Sequence, residues 1–361
     1  MFLRRASEPP GPLTWSPEPL ALSLTALFSL SSICSLTGCR YSALIGVDAL
    51  DDDFGSDGSD SDEGDLPSLD IPDATCEPPV PVSCDTESDD PLQTIGLDCL
   101  GGTPASGAIA GPPGSSISHE GTLGPYAPRE GEKFLILSTG RAAELALSQE
   151  QLGSLGCQDP SVCPTTNFGV GPSELPAPIT VLPVDDVLTC VDDPSLIGMG
   201  DCSNTLFEQW SACGIGCEVW DYTELRIGLT VPETTRGLAF DFAFLSVEWP
   251  DFDDGGFNDM FVAWLESETW TGNISFDAVG NPITVNAGFT DYVADELDGF
   301  AMEGHAGTRW LTTDVGLHPG ETIELVLAVF DLSDGDYDSV VLLDGFRWTC
   351  SGTPPTTLPI P

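Results

Sequence analysis

Beyond Cys217 the apolar residues of the chain recur at every second position. In "TELRIGLTVP", Leu225, Ile227, Leu229 and Val231 alternate with polar or small residues. In "RGLAFDFAFLSVEWP", Leu238, Phe240, Phe242 and Phe244 share one face. "NDMFVAWLES" and "GNISFDAVGNPITVN" continue the pattern, the second as a hairpin around Gly280-Asn281. "ETIELVLAVFD" puts Ile323, Leu325, Leu327 and Val329 on one side, and "SVVLLDGFRWTC" ends the patterned region. A period of two with turn residues between the runs predicts short antiparallel strands rather than helices. The fold expected is all-β: an antiparallel, jelly-roll-like sandwich with Leu, Ile, Val and Phe on its inner faces.

Upstream the signals are sparser. "EKFLILSTG", Glu132 to Gly140, is an apolar run closed by glycine and predicts a strand. "LSQEQLGSLG" places Ser148 as N-cap with Gln151 three residues later, the capping-box signature of a short helix. A second short helix is expected over Thr205 to Ser211. Residues 76–130 are rich in Pro, Gly and Ser and predict irregular structure, ordering from about Leu92. The tail "SGTPPTTLPIP", residues 351–361, predicts a loose, partly polyproline end. The folded domain is thus expected over 131–350.

The first 75 residues read differently. Arg4 and Arg5 precede an apolar stretch, Leu20 to Ile33, which is too short and serine-rich for a membrane-spanning helix and predicts a signal peptide over 1–38. Glu8 and Glu18 interrupt its positive leader. "Leu36-Thr37-Gly38-Cys39" resembles the lipobox of bacterial lipoproteins. That resemblance implies a lipid on Cys39, and Arg40 in the next position implies the outer membrane. The alternative is an ordinary secretory signal. From Asp48 to Asp73 eleven acidic residues are interspersed with Gly, Ser and Pro, so 39–75 predicts a solvated, disordered tether. Asp57-Gly58-Ser59-Asp60-Ser61-Asp62 lacks the glycine and distal glutamate of an EF-hand and is read as spacer.

Charge narrows the partners. Fifty-eight acidic residues against ten basic ones give a net charge of −48. Nucleic-acid binding needs clustered Lys and Arg and is not expected. Such a surface attracts cations, or serves solubility alone. Of twelve cysteines, Cys34 and Cys39 fall in the N-terminal segment. The other ten, Cys76, Cys84, Cys99, Cys157, Cys163, Cys190, Cys202, Cys213, Cys217 and Cys350, fit disulfides in an exported protein. Short-range pairing suggests Cys157–Cys163, Cys190–Cys202, Cys213–Cys217 and Cys76–Cys84, leaving Cys99 and Cys350. Sequence leaves this connectivity open. Zinc competes only at Cys213-x-x-x-Cys217, which lacks a second pair.

Three segments together resemble the choice-of-anchor L family of bacterial surface proteins: "FDFAFLSVEWPDFDDGGFNDMFVAWL", "GNISFDAVGNPITVN" and "PGETIELVLAVFDLSDGDYDSVVLLDGF". "LILSTG" and "GMGDCSNTL" resemble upstream parts of that family. The resemblance spans roughly Leu97 to Cys350. It rests most on Glu248, Asn258-Asp259 and Asp331-x-x-Asp334-x-x-x-Asp338. It implies a surface or secreted location and an all-β domain, and supplies no activity.

Chemistry is sparse. Asp331, Asp334, Asp336 and Asp338 crowd the loop "FDLSDGDYDS", and acids at such intervals can supply the oxygens that calcium needs, with Glu248 and Asp259 joining if the fold brings them near. The same residues also suit a plain turn. His305 and His318 accompany no nucleophile pattern and are expected on exposed loops. Carboxylate pairs carry little weight among fifty-eight acids. Trp249, Trp264, Trp270 and Trp310 form either a sugar-stacking platform or core packing. The function expected is non-enzymatic: a lipid-anchored envelope protein displaying a sandwich for adhesion, meeting the membrane through its lipid and a protein or glycan through the domain. A carbohydrate-binding module and a secreted hydrolase are the alternatives.

Overall fold

A computed structural model describes residues 69–72, 75–156, 167–185, 187–212, 217–250, 258–285 and 289–360. The expected signal peptide, Cys39, nearly all of the tether, and Cys157, Cys163 and Cys213 lie outside the described residues.

The described residues form fourteen strands in two antiparallel sheets. The first sheet holds β1 (Ala105–Ala110), β4 (Val219–Thr230), β12 (Thr322–Leu332), β6 (Met260–Glu266) and β7 (Thr271–Asn273), in that order, with β8 (Ile283–Thr284) also on β6. The second runs β14 (Thr356–Pro359), β11 (Leu311–Gly316), β5 (Gly237–Ser246), β13 (Ser339–Thr349), β3 (Lys133–Ser138) and β2 (Ser116–Glu120). In the same sheet β10 (Ala306–Thr308) joins β5 to β9 (Thr290–Val293). The all-β sandwich expected from the period of two is what forms.

The inner faces meet in one core. Leu225, Ile227 and Leu229 of β4 and Leu325, Leu327 and Val329 of β12 face Phe240, Phe242 and Phe244 of β5 and Val341 and Leu343 of β13. Phe242 and Phe261 of β6 pack with ring centroids 4.7 Å apart. The strands are buried on both faces, however. Ala243 and Leu245 of β5 enter a second cluster with Phe134, Ile136, Tyr126, Phe300 and Trp310. Val326, Ala328 and Phe330 of β12 enter a third with Leu206, Tyr222 and Trp264. Covering segments from elsewhere in the chain therefore bury the outer face of each sheet, so β5 and β13 read as nearly continuous apolar runs.

Both expected helices form. α2 (Gln149–Ser154) carries the capping box: Ser148 Oγ accepts from the Gln151 N–H, and Gln151 Oε1 accepts from the Ser148 N–H at 2.8 Å. α3 spans Leu206–Ala212. A third short helix, α1 (Pro91–Thr94), is capped by Asp90.

Several expectations are corrected. The order expected from about Leu92 takes the form of two strands that were not expected there, β1 and β2, where Gly107 lies against β4 so closely that a Cβ would stand 2.7 Å from the Arg226 carbonyl. The tail is no loose end: β14 pairs with β11, and the Thr357 and Thr313 hydroxyls bond at 2.9 Å. Its prolines fit because β14 is an edge strand. The sandwich thus extends past 131–350 on both sides. Leu69 and Ile71, inside the expected tether, are described, and the Asp70 carbonyl lies 2.6 Å from His318 Nε2. β7 and β8 each pair with β6, while the expected hairpin around Gly280-Asn281 forms as a tight turn bridged antiparallel at Phe276 and Pro282, with Asp277 accepting from Val279 and Asn281.

The disulfides include Cys190–Cys202, but Cys76 pairs with Cys350 and Cys84 with Cys99. The suggested Cys76–Cys84 and Cys99–Cys350 bonds are therefore exchanged. Glu77 donates to the Thr234 carbonyl at 2.7 Å, which lays Cys76 beside the end of β13. Buried Asp85 accepts the Glu132 and Lys133 N–H groups at 2.7 and 2.6 Å, which holds Cys84 near the start of β3. Cys217 is also disulfide-bonded, which removes it as a zinc ligand.

Candidate functional site

The inner face of the sandwich ends in carboxylates at one end of the strands. Along β12, Ile323, Leu325, Leu327 and Val329 face inward, and Asp331 is the next residue of that row. Glu248 falls two residues beyond Ser246, the last residue of β5. Asp259 precedes β6, whose inward residues are Phe261, Ala263 and Leu265. Ser339 opens β13, and Thr139 follows β3. These strands are antiparallel neighbours, so the ends all meet in one place: Phe330 pairs with Met260, Ser339 with Ser246, and Val340 with Ser138.

Hydrogen bonds tie the ends together. Ser339 Oγ donates to Asp259 Oδ2 at 2.7 Å, and the Leu332 N–H donates to Asp259 Oδ1 at 3.2 Å. The Asp259 N–H donates to Glu248 Oε2 at 3.3 Å. The Ser339 N–H donates to Thr139 Oγ1 at 2.9 Å, while the Thr139 hydroxyl is directed at the Ser339 carbonyl at 3.4 Å. Asp331 is 1% exposed, as buried as Asp259 and Asp338, and neither of its carboxylate oxygens makes a hydrogen bond of good geometry, although Thr139 and Asp259 lie close enough to interact with it.

Glu248, Asp259, Asp331 and Asp338 are all buried. Two carboxylates about 4 Å apart repel by about 4 kcal/mol at an effective dielectric near 20. Burial, reinforced by Asp259, pushes Glu248 up to about 10. Burial pushes Asp259 up to about 7, against the hydrogen bond from Ser339. Burial raises Asp331 well above the carboxylate range, with Asp259 and Asp338 adding to it. Among the described residues no Lys, Arg or His forms an ion pair with Glu248, Asp259 or Asp331.

The structure therefore gathers Glu248, Asp259, Asp331 and Asp338, and sets Asp334 half-buried on the loop above them, close enough to raise both Glu248 and Asp259. Asp336 is exposed, and its N–H donates to Asp334 Oδ1 at 3.2 Å. Sequence reasoning missed Thr139, Ser339 and Asp221. Asp221 sits where β4 and β12 change register, at φ +48°, and accepts from Phe168, Gly169 and Val170. No set of three or more His, Cys, Asp or Glu side chains among the described residues is already arranged as a metal shell.

Other candidates fall elsewhere. Trp264 is 1% exposed, Trp270 2% and Trp310 7%, and Trp249 packs partly buried on the core. The tryptophans are core packing and present no exposed platform. Trp270 shows an edge to a groove of about 450 Å³ with Phe276, Pro354 and Pro355. His305 is not an exposed loop histidine: it is 2% exposed, with Nδ1 3.1 Å from the Trp249 carbonyl. His318 is half-buried between the Asp70 carbonyl and Glu268. No described helix is long and apolar enough to cross a membrane.

Compared with family models, curated proteins and solved structures, the chain has no match.

Proposed function

We propose that this chain is a lipid-anchored protein of the bacterial envelope that displays its β-sandwich outside the cell for adhesion or envelope interaction, with no catalysis of its own. One observation carries the reading: three disulfides join described residues to one another, and one of them, Cys76–Cys350, ties the segment before β1 to the end of β13. Such bonds persist in oxidising compartments outside the cytosol. The lipobox-like "LTGC" ending at Cys39 supports a lipid anchor, and the acidic run that follows supports a spacer between membrane and domain. Residues that resemble the choice-of-anchor L family point to the same location.

Fractionation of cells expressing the native chain and Cys39→Ala tests this. The native chain is expected in the outer-membrane fraction, accessible to added protease, and the variant in the soluble fraction or the medium. Equal distribution of the two would remove the anchor. Loss of cell adhesion in both a deletion strain and the Cys39→Ala strain would support display as the function.

A further inference from the structure

The carboxylates at the end of the sandwich have a use that anchoring and adhesion do not explain. Glu248, Asp259, Asp331 and Asp338 are buried together, and neither oxygen of Asp331 makes a hydrogen bond of good geometry although it is 99% buried, with Thr139 and Asp259 close by. A buried charge is tolerated when something neutralises it. The fold supplies no Lys, Arg or His ion pair for Glu248, Asp259 or Asp331 among the described residues. What it supplies is oxygen: four carboxylates from three strand ends and the turn before β13, plus the Thr139 and Ser339 hydroxyls beside them.

We propose that Glu248, Asp259, Asp331 and Asp338 bind one calcium ion, with Asp334 on the adjoining loop completing the site from its rim. The donor set is all hard oxygen, without thiolate or imidazole, which suits calcium rather than zinc or copper. Carboxylates can bind through one oxygen or two, so a set drawn from several strands matches calcium's flexible coordination better than the strict octahedron of magnesium. As they stand, the side chains do not form a metal shell among the described residues, so a binding ion would have to draw them closer. Asp334 and the Ser333 backbone, at φ +89°, lie on the turn that would close over it. Bound calcium would pin β5, β6, β12 and β13 to one another across both sheets. The proposal is independent of the lipid anchor, and either can fail without the other.

Thermal unfolding of the natively isolated protein in EDTA, in 10 mM calcium chloride and in 10 mM magnesium chloride tests it, for the wild type, Asp331→Asn and Asp336→Asn. Sites in extracellular modules bind calcium with Kd of about 0.1–1 mM, so calcium is expected to raise the wild-type Tm by about 3 °C or more over EDTA, with a smaller rise in magnesium. Asp331→Asn should lose the calcium increment and, in EDTA, melt near the wild type, because burial already favours the neutral Asp331 carboxyl when no ion is bound. Asp336→Asn, on an exposed side chain, should keep the increment. Glu248→Gln makes the same comparison if Asp331→Asn fails to fold. An unchanged wild-type Tm in calcium, an equal rise in magnesium, or a full increment in both Asp331→Asn and Glu248→Gln would overturn the proposal.

Discussion

Ser339 and Asp259 join the two sheets: the Ser339 hydroxyl, at the start of β13, donates to the Asp259 carboxylate, just before β6, at 2.7 Å. Both residues are buried. A hydrogen bond to a buried carboxylate is stronger than one between neutral groups, and its loss leaves the acceptor desolvated. Ser339→Ala should therefore cost about 1–3 kcal/mol in calcium-free urea unfolding. The midpoint should fall with the slope unchanged, since the surface exposed on unfolding is the same. An unaltered midpoint would show that the contact does not hold the sheets together.

The exchanged disulfides make a quantitative comparison. Cys76–Cys350 closes 274 residues, whereas Cys84–Cys99 closes 15. Restriction of the unfolded chain grows with the logarithm of loop length. Replacing Cys76 and Cys350 by Ser should cost about 2–5 kcal/mol, and more than replacing Cys84 and Cys99. Guanidinium unfolding of the two double variants under oxidising conditions checks the order. The reverse order would mean that strain or residual structure, not loop closure, governs these bonds.

Asp344 gives a pH dependence away from the acidic cluster. It is 1% exposed and accepts the N–H groups of Arg129, Glu130 and Gly345 at 2.6, 3.2 and 2.6 Å. Burial outweighs those bonds and pushes it up to about 7, with the Glu130 carboxylate adding to the rise. Its unfolded value is near 3.8, so between about pH 4 and pH 7 the folded chain holds a proton that the unfolded chain has released. Its contribution is thus fully present below pH 4 and is lost as pH rises to 7, by on the order of 4 kcal/mol at most. Asp344→Asn should flatten stability across that window relative to the wild type. An unchanged slope would place the titration elsewhere.

The sandwich was legible in the sequence because the inward rows of β4, β5, β6 and β12 recur at every second position. What escaped was the second burial layer. Ala243 and Leu245 of β5 look like breaks in the alternation, yet they pack on Phe134, Phe300 and Trp310, residues far away in the chain. Short edge strands escaped as well. Gly107 in β1 and Pro359 in β14 carry turn-like composition, and tertiary pairing overrides that composition.

The acidic cluster was half legible. Loop spacing grouped Asp331, Asp334, Asp336 and Asp338 and left Glu248 and Asp259 dependent on the fold, but each strand also carried a local signal. Asp331 continues the inward row of Leu325, Leu327 and Val329, and Ser339 continues that of Val341 and Leu343. Polar residues on an inward row mark where the core ends or where something binds. Asp336 was included because loop spacing alone cannot tell which carboxylates turn inward.

The most direct test of the account is the intact mass of the protein isolated from its native membrane, measured with and without reduction. The account predicts a chain that begins at Cys39, carries a lipid adduct on that residue, and gains ten hydrogens on reduction of five disulfides. A lipid-free N-terminus at any other position, or an unreduced mass that already holds ten free thiols, would contradict it.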